Sequence, residues 1–233
     1  MRSLHDDAQF HDELNLYLVS GLTLWTLCLF KKHSVFYDAL EQRACFLDGV
    51  ECANAYRGLS WATLLYSVFD TLFILVKPTC TKRLGSLCLH HAATIVAVSY
   101  AMSFNVDAIT AEYMLVEVST FFLTVKNVRR NQGGLVPARV VAFMRHRAVH
   151  SATNTAFILS WVLLRIHYYP VLWVVTHHFF NHPAFGVSYY YILASLATLV
   201  VLNFYWTAEL VGFKVTSAML VVVVVTTAML TLR

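Results

Sequence analysis

The sequence predicts an all-α integral membrane protein built as a bundle of six to seven transmembrane helices. Three observations predict it. Of 233 residues, 58% are hydrophobic and only 13% charged, against about 25% charged in a soluble domain. Mean hydropathy is +0.61. The apolar residues fall into runs of about 20, the length that crosses a hydrocarbon core, with short polar turns between them.

Taken in order, the spans read as roughly 14–30, 59–76, 84–104, 107–125, 148–168, 187–213 and 215–232. Only Gly212 and Lys214 divide the last two, which leaves the count at six or seven. The stretch "YPVLWVVTHHFFNH" (169–182) is short for a span and begins at Pro170; it reads as a re-entrant or interfacial continuation of the fifth helix. Three segments result: a cytosolic tail at 1–13, the main transmembrane domain at 14–213, and an extra C-terminal helix within 214–233. The tail, "MRSLHDDAQFHDELN" with the start of the first span, is acidic and lacks the basic-then-apolar pattern of a cleavable signal. With this end cytosolic, the basic loop 126–147 and the turn around Lys77, Lys82 and Arg83 also fall in the cytosol, as the positive-inside tendency favours.

The net charge of +4 is not spread in basic runs interleaved with aromatics, so nucleic acid is not an expected partner. No CxxC occurs, and neither a metal nor a cofactor is expected. Cys28, Cys80 and Cys88 read as small apolar residues. Cys45 and Cys52 share the first non-cytosolic loop; a disulfide and two separate thiols are both open there.

Ionisable groups inside a span are costly and usually face the bundle interior. Asp70, His90, His91, Glu112, Glu117, Arg165 and Glu209 are such groups. Counted from the flanking basic residues, Asp70 and His90 lie ~10 Å deep, Glu117 ~13 Å and Asn203 ~16 Å. Four helices therefore put polar side chains into one slab on the basic side. His90, His91 and Thr94 share a face of the third span, and Tyr113, Glu117, Thr120 and Thr124 share one of the fourth. If these spans form a hairpin turning near Asn105, Glu117 comes within one helical turn of the histidine pair. A carboxylate near an imidazole in low dielectric holds it cationic or fixes its tautomer, and such a pair serves acid–base or nucleophilic work. A buried histidine is also commonly a hydrogen-bonded structural residue. Glu112 and Glu209, nearer the interfaces, read as structural or snorkelling.

"LHHAATIVAVSY" (89–100) resembles the His-His-x-x-Thr segment of the TLC (TRAM–LAG–CLN8) domain, the membrane domain of ceramide synthases and their relatives. "YSVFD" (66–70) is similar to the Gly-Tyr-x-x-x-Asp stretch of the preceding helix, with Leu65 in the glycine's place. "FILSWVLLRI" (157–166) resembles the Phe-rich helix ending in Arg, and "LNFYW" (202–206) the Leu-Asn-x-Tyr-Trp of the last core helix. The four pieces stand in the family's order over residues 14–213. Where ceramide synthases carry His-Asp-x-Ser-Asp on the fourth helix, this chain reads "EVSTF" (117–121), which is closer to the TLC-domain-containing branch.

The resemblance implies a multi-pass membrane protein of the endoplasmic reticulum, acting in sphingolipid or phospholipid balance and holding a membrane lipid or acyl chain. It makes His90, His91, Glu117 and Asp70 the candidate catalytic residues. Thr94, Tyr113, Thr120, Arg165, Asn203 and Trp206 become the candidate substrate-binding residues. An alternative is a ceramide-synthase-like N-acyltransferase using acyl-CoA, with His91 as base or nucleophile and the basic loop meeting headgroups or coenzyme A phosphates. Against it, the second histidine and both aspartates of the synthase pattern are missing. Two further alternatives are weaker: a di-iron oxidase resting on "HRAVH" (146–150) and "HFFNH" (178–182), and a cargo receptor by family analogy.

Overall fold

The structure, a computed structural model, describes residues 4–33, 35–49, 54–129 and 134–212, together with Thr216 and Met219. The expected seventh helix and Cys52 fall almost wholly outside the described residues. Cys45 itself is not a free thiol.

Among the described residues, six segments are long and apolar enough to cross a membrane: Asp7–Lys32, Arg57–Val76, Leu84–Ser103, Ala108–Val128, Arg147–Phe180 and Ser188–Val211. The first lies within helix α1 (Leu4–Lys32), followed by α2 (Val35–Asp48). The second and third are α3 (Arg57–Val76) and α4 (Leu84–Ser103). The fourth combines α5 (Ala108–Met114) and α6 (Glu117–Val128). After α7 (Ala138–Arg145), the fifth runs through α8 (Arg147–Ser160), a π-helical stretch (Trp161–Tyr168) and α9 (Tyr169–Phe180). The sixth is α10 (Ser188–Val211). No strand occurs among the described residues.

Local chemistry sets the boundaries. Pro78 stops α3 because the residue before a proline is driven out of the helical region. Asn105 takes a positive φ of 56° at the turn after α4, a conformation asparagine tolerates better than most. Its Oδ1 accepts hydrogen bonds from Asn54 Nδ2 and Arg57 Nη2, each at 2.8 Å. Arg57 also pairs with the buried Asp107 at 3.2 Å, which ties three elements together at this end. Nearby, the Tyr56 hydroxyl donates to Asp38. Burial first, and that carboxylate second, push the phenol well above its usual range.

Helix α1 begins at Leu4, within the expected 1–13 tail, and carries His11 and Glu13 into the interior. Of the two readings of 169–182, the structure shows the continuation: α9 extends the fifth helix to Phe180. The wide π turn just before it accommodates Pro170, which has no N–H to give the preceding turn. The continuous element has 34 residues and so a length of ~51 Å, well beyond a ~30 Å hydrocarbon core. One expectation is corrected, and it concerns helix order. The third and fourth spans are not side-by-side neighbours: α4 packs against α3 and α10, while α6 packs against α1 and α8. The six spans close a ring in the order α1, α3, α4, α10, the α8–α9 helix, α6. The spans of α4 and α6 face each other across its centre.

Helices α2 and α7 were not expected from the sequence. α2 packs on α5, and Gln42 Oε1 accepts from the Ala108 N–H at 3.0 Å. α7 packs on α8 in the basic loop. That loop is fastened to α1 by Glu13, whose carboxylate accepts the N–H groups of Leu135 and Val136.

Candidate functional site

The centre of the ring is a cavity of about 200 Å³. Along α4 it is lined from Leu87 through His90, His91, Thr94, Ala97 and Val98 to Ala101. These positions follow helical spacing, and the stripe is ~21 Å long. The end toward Arg83 is polar, with Asp70, His90, His91, Glu117, Thr120 and Arg165 on its wall. The other end is apolar, closed by residues such as Ile109, Met114, Phe180, Ile192 and Leu196.

Asp70 organises the α3 side. It is buried on α3, and its Oδ2 lies 3.3 Å from His91 Nε2. Its Oδ1 lies 2.8 Å from Nε2 of His11, itself buried on α1. His91 Nδ1 lies 3.0 Å from the Ser67 carbonyl oxygen. A carbonyl only accepts, so Nδ1–H donates to it, while Nε2 stands within ion-pair distance of Asp70. Asn15 Nδ2 lies 3.1 Å from His11 Nε2, the same nitrogen that faces Asp70. Both His91 nitrogens thus face a protein oxygen.

His90 differs. Among the described residues its ring nitrogens make no hydrogen bond, and the ring packs 5.5 Å from His91 and 5.3 Å from Trp206 between centroids. It lines the cavity with both nitrogens unclaimed. Trp206 is held in turn by its indole N–H, which donates to Ser86 Oγ at 3.3 Å.

Arg165 stands in the π-helical stretch. In a π-helix the wider turn brings residues four to five apart onto one line, and Trp161, Arg165 and Tyr169 all line the cavity. The guanidinium is buried and donates to Ser119 Oγ at 2.6 Å, Thr120 Oγ1 at 2.6 Å and Asn203 Oδ1 at 2.8 Å. It also stacks over Trp161 at 4.7 Å. Three donors are used, leaving two of its five N–H groups. No carboxylate lies within ion-pair distance of it among the described residues.

Glu117 lines the cavity, but the expected ion pair with the histidines does not form: its carboxylate makes neither an ion pair nor a hydrogen bond to a described residue. The ring order gives the reason, since α6 lies across the cavity from α4. Thr94 Oγ1 donates to the His90 carbonyl at 3.0 Å. Tyr113 hydrogen-bonds Thr176 at 2.9 Å on the fifth span. Asn203 reaches the cavity only through Arg165. Glu112 accepts from the Tyr168 hydroxyl, and Glu209 pairs with Arg83 at 2.6 Å near the cavity mouth. His150 and His178 lie on the same continuous helix, ~42 Å apart, so the two His-x3-His pairs do not share a site.

His11 is the residue that sequence reading missed. Its signal was the spacing Asp7, His11, Asn15, a polar stripe at every fourth position that continues one face of the first span.

The TLC domain matches residues 14–212. The chain belongs to the TLC domain family. It is 30% identical over 153 residues to the ceramide synthase LOH3 of Arabidopsis thaliana, covering 60% of this chain and 44% of that protein. It is 25% identical over 194 residues to a putative TLC domain-containing protein of Acanthamoeba polyphaga mimivirus, covering 82% and 89% of the two chains. An ASC1-like protein of Solanum lycopersicum is 29% identical over 153 residues, covering 60% and 44%. The chain thus spans less than half the length of the two plant relatives. No solved structure matches it. Family membership and the six apolar spans make this a multi-pass membrane protein, and its TLC relatives support a role connected with membrane lipids.

Proposed function

We propose that this protein binds a single lipid acyl chain in the ring's cavity and acts in lipid homeostasis, in the membrane of the endoplasmic reticulum. One observation carries the reading: the cavity is polar at one end and hydrocarbon-like at the other, along ~21 Å of α4. A chain lies along Ala97, Val98 and Ala101, and its polar group rests among His90, Glu117 and the spare N–H groups of Arg165. Mass spectrometry of lipid bound to the detergent-purified protein tests it. A stoichiometric acyl lipid, reduced in Ala97→Phe, is the expected result; protein purified without bound lipid refutes the reading.

The second reading is N-acyl transfer to a sphingoid base, favoured by the unclaimed imidazole of His90. In that reaction the amine nitrogen attacks the thioester carbonyl of acyl-CoA, the C–S bond breaks, and coenzyme A leaves as thiolate. His90 accepts the amine proton and passes it to the thiolate, while Glu117 lines the opposite wall of the cavity. His91, fixed at both nitrogens, is a positioning residue for His90 in this scheme. Labelled acyl-CoA given with a sphingoid base separates the two readings: amide product that disappears in His90→Ala supports transfer, and bound lipid without product supports binding alone.

A further inference from the structure

A second cleft, of about 540 Å³, lies outside the ring where α7 meets the projecting start of α8. It shares no lining residue with the central cavity. Arg145, Arg147, His150, Ser151, Asn154 and Ile158 line it.

The cleft gathers cations and donors without a carboxylate. Between Glu117 and Glu209 the sequence contains no acidic residue at all. Arg145 Nε donates to the Arg129 carbonyl at 3.0 Å, which fixes that side chain along the rim. Arg147 makes no ion pair or hydrogen bond to a described residue. Asn154 Nδ2 lies 2.9 Å from His150 Nδ1.

Depth separates this cleft from an ordinary basic surface. Arg147 and Ile158 are eleven residues apart, ~16 Å along the axis. Ile158 is 58% exposed at the bottom. Its level is near the edge of the apolar slab, because Trp161, one turn further in, bonds Thr207 of α10 at 2.9 Å. Ser151 and Asn154 stand ~10 Å and ~6 Å above Ile158. A headgroup layer is about 5–8 Å thick on each face of a bilayer, so Asn154 lies within it, Ser151 just beyond its edge and Arg147 above it. From top to bottom the cleft runs cation, hydrogen-bond donors, apolar side chain, which is the order of outer headgroup charge, phosphate and hydrocarbon in an anionic phospholipid.

We infer that this cleft seats the headgroup of an anionic bilayer phospholipid, with its phosphate on the Ser151 hydroxyl, its outer headgroup charge toward Arg147 and its chains descending past Ile158. The purified full-length chain is titrated with phosphatidylserine and with phosphatidylcholine of the same chains, and bound lipid is counted by native mass spectrometry. The wild type prefers phosphatidylserine. Arg147→Gln weakens that binding about fivefold, the value of one interfacial cation; Arg147→Lys retains most of it and Ser151→Ala weakens it. Arg139→Gln, on α7 but outside the cleft, leaves it unchanged. Equal binding of the two lipids overturns the inference, as does an Arg139→Gln loss matching that of Arg147→Gln, which would mark diffuse charge attraction. Displacement of the lipid by soluble coenzyme A overturns it too, since it assigns the phosphate site to a soluble ligand.

Discussion

Asp70→Asn is the most informative single change in the central site. Asp70 is 4% exposed; its Oδ1 is hydrogen-bonded to His11 at 2.8 Å and its Oδ2 stands 3.3 Å from His91 Nε2. Asparagine has the same shape, so no cavity opens and the effect isolates charge. A hydrogen bond to a charged group contributes about 1.5–3 kcal/mol and a neutral one about 0.5–1.5 kcal/mol. The His11 bond weakened by that difference, together with a weaker attraction to His91, amounts to about 1–2 kcal/mol. For a chain of this size, 1 kcal/mol shifts Tm by about 2–4 °C, so the expected loss is about 2–8 °C, read by tryptophan fluorescence in detergent. Asp70→Ala strands both imidazoles and costs more, about 3–5 kcal/mol. A double-mutant cycle with His11→Ala carries the real weight. If His11 acts through Asp70, the paired variant loses less than the sum of the singles by 1 kcal/mol or so. Additive losses, or an Asp70→Asn protein melting within a degree of wild type, refute the relay.

Other perturbations follow from the same geometry. Arg165→Lys retains a charge but not the fork that reaches Ser119, Thr120 and Asn203 together; a loss of about 2–4 kcal/mol is expected in the same melting assay. Burial pushes the Cys80 thiol up to about 11. Its thiolate fraction at pH 8 is then about one in a thousand, and alkylation measured by mass spectrometry rises about tenfold per pH unit from 8 to 10. Gly134 has φ +150° and lies against the Glu13 carboxylate where a Cβ would stand. Gly134→Ala is expected to lower Tm, and Glu13→Gln to do so by weakening the acceptor of Leu135 and Val136, about 1–2 kcal/mol; unchanged melting of both means that the clamp contributes nothing. Ala97→Phe blocks the cavity ~10 Å beyond His90, so the bound acyl lipid measured by mass spectrometry falls in amount, with the longest chains lost first.

The span pattern was legible because lipid imposes one constraint on every segment: a helix of sufficient apolar length. Helices α2 and α7 escaped because they obey a different one. Both are short, lie outside the spans, and owe their order to packing on α5 and α8, which no local periodicity announces. Pro170 misled in the other direction. As a residue it predicts a break; in the structure the π turn before it absorbs the missing donor, and the fifth helix continues.

The site divides along the same line. A costly ionisable residue within a span reveals that it faces inward, and Asp70, His90, His91, Glu117 and Arg165 all line one cavity. Which of them touch is a matter of helix order around the ring, and the order is set by packing between distant segments. Chain adjacency suggested pairing Glu117 with the histidines, but α3, not α6, is the neighbour that brings a carboxylate to His91. The partner that sequence reading missed, His11, comes from α1, the helix on the far side of α3. Because α1 and α4 both border α3, a single carboxylate on α3 can serve both, and this leaves Glu117 and His90 facing each other's side of the cavity with their polar atoms uncommitted. Closing the ring in this order is what converts a row of buried polar residues into one braced pair and two groups available to an occupant.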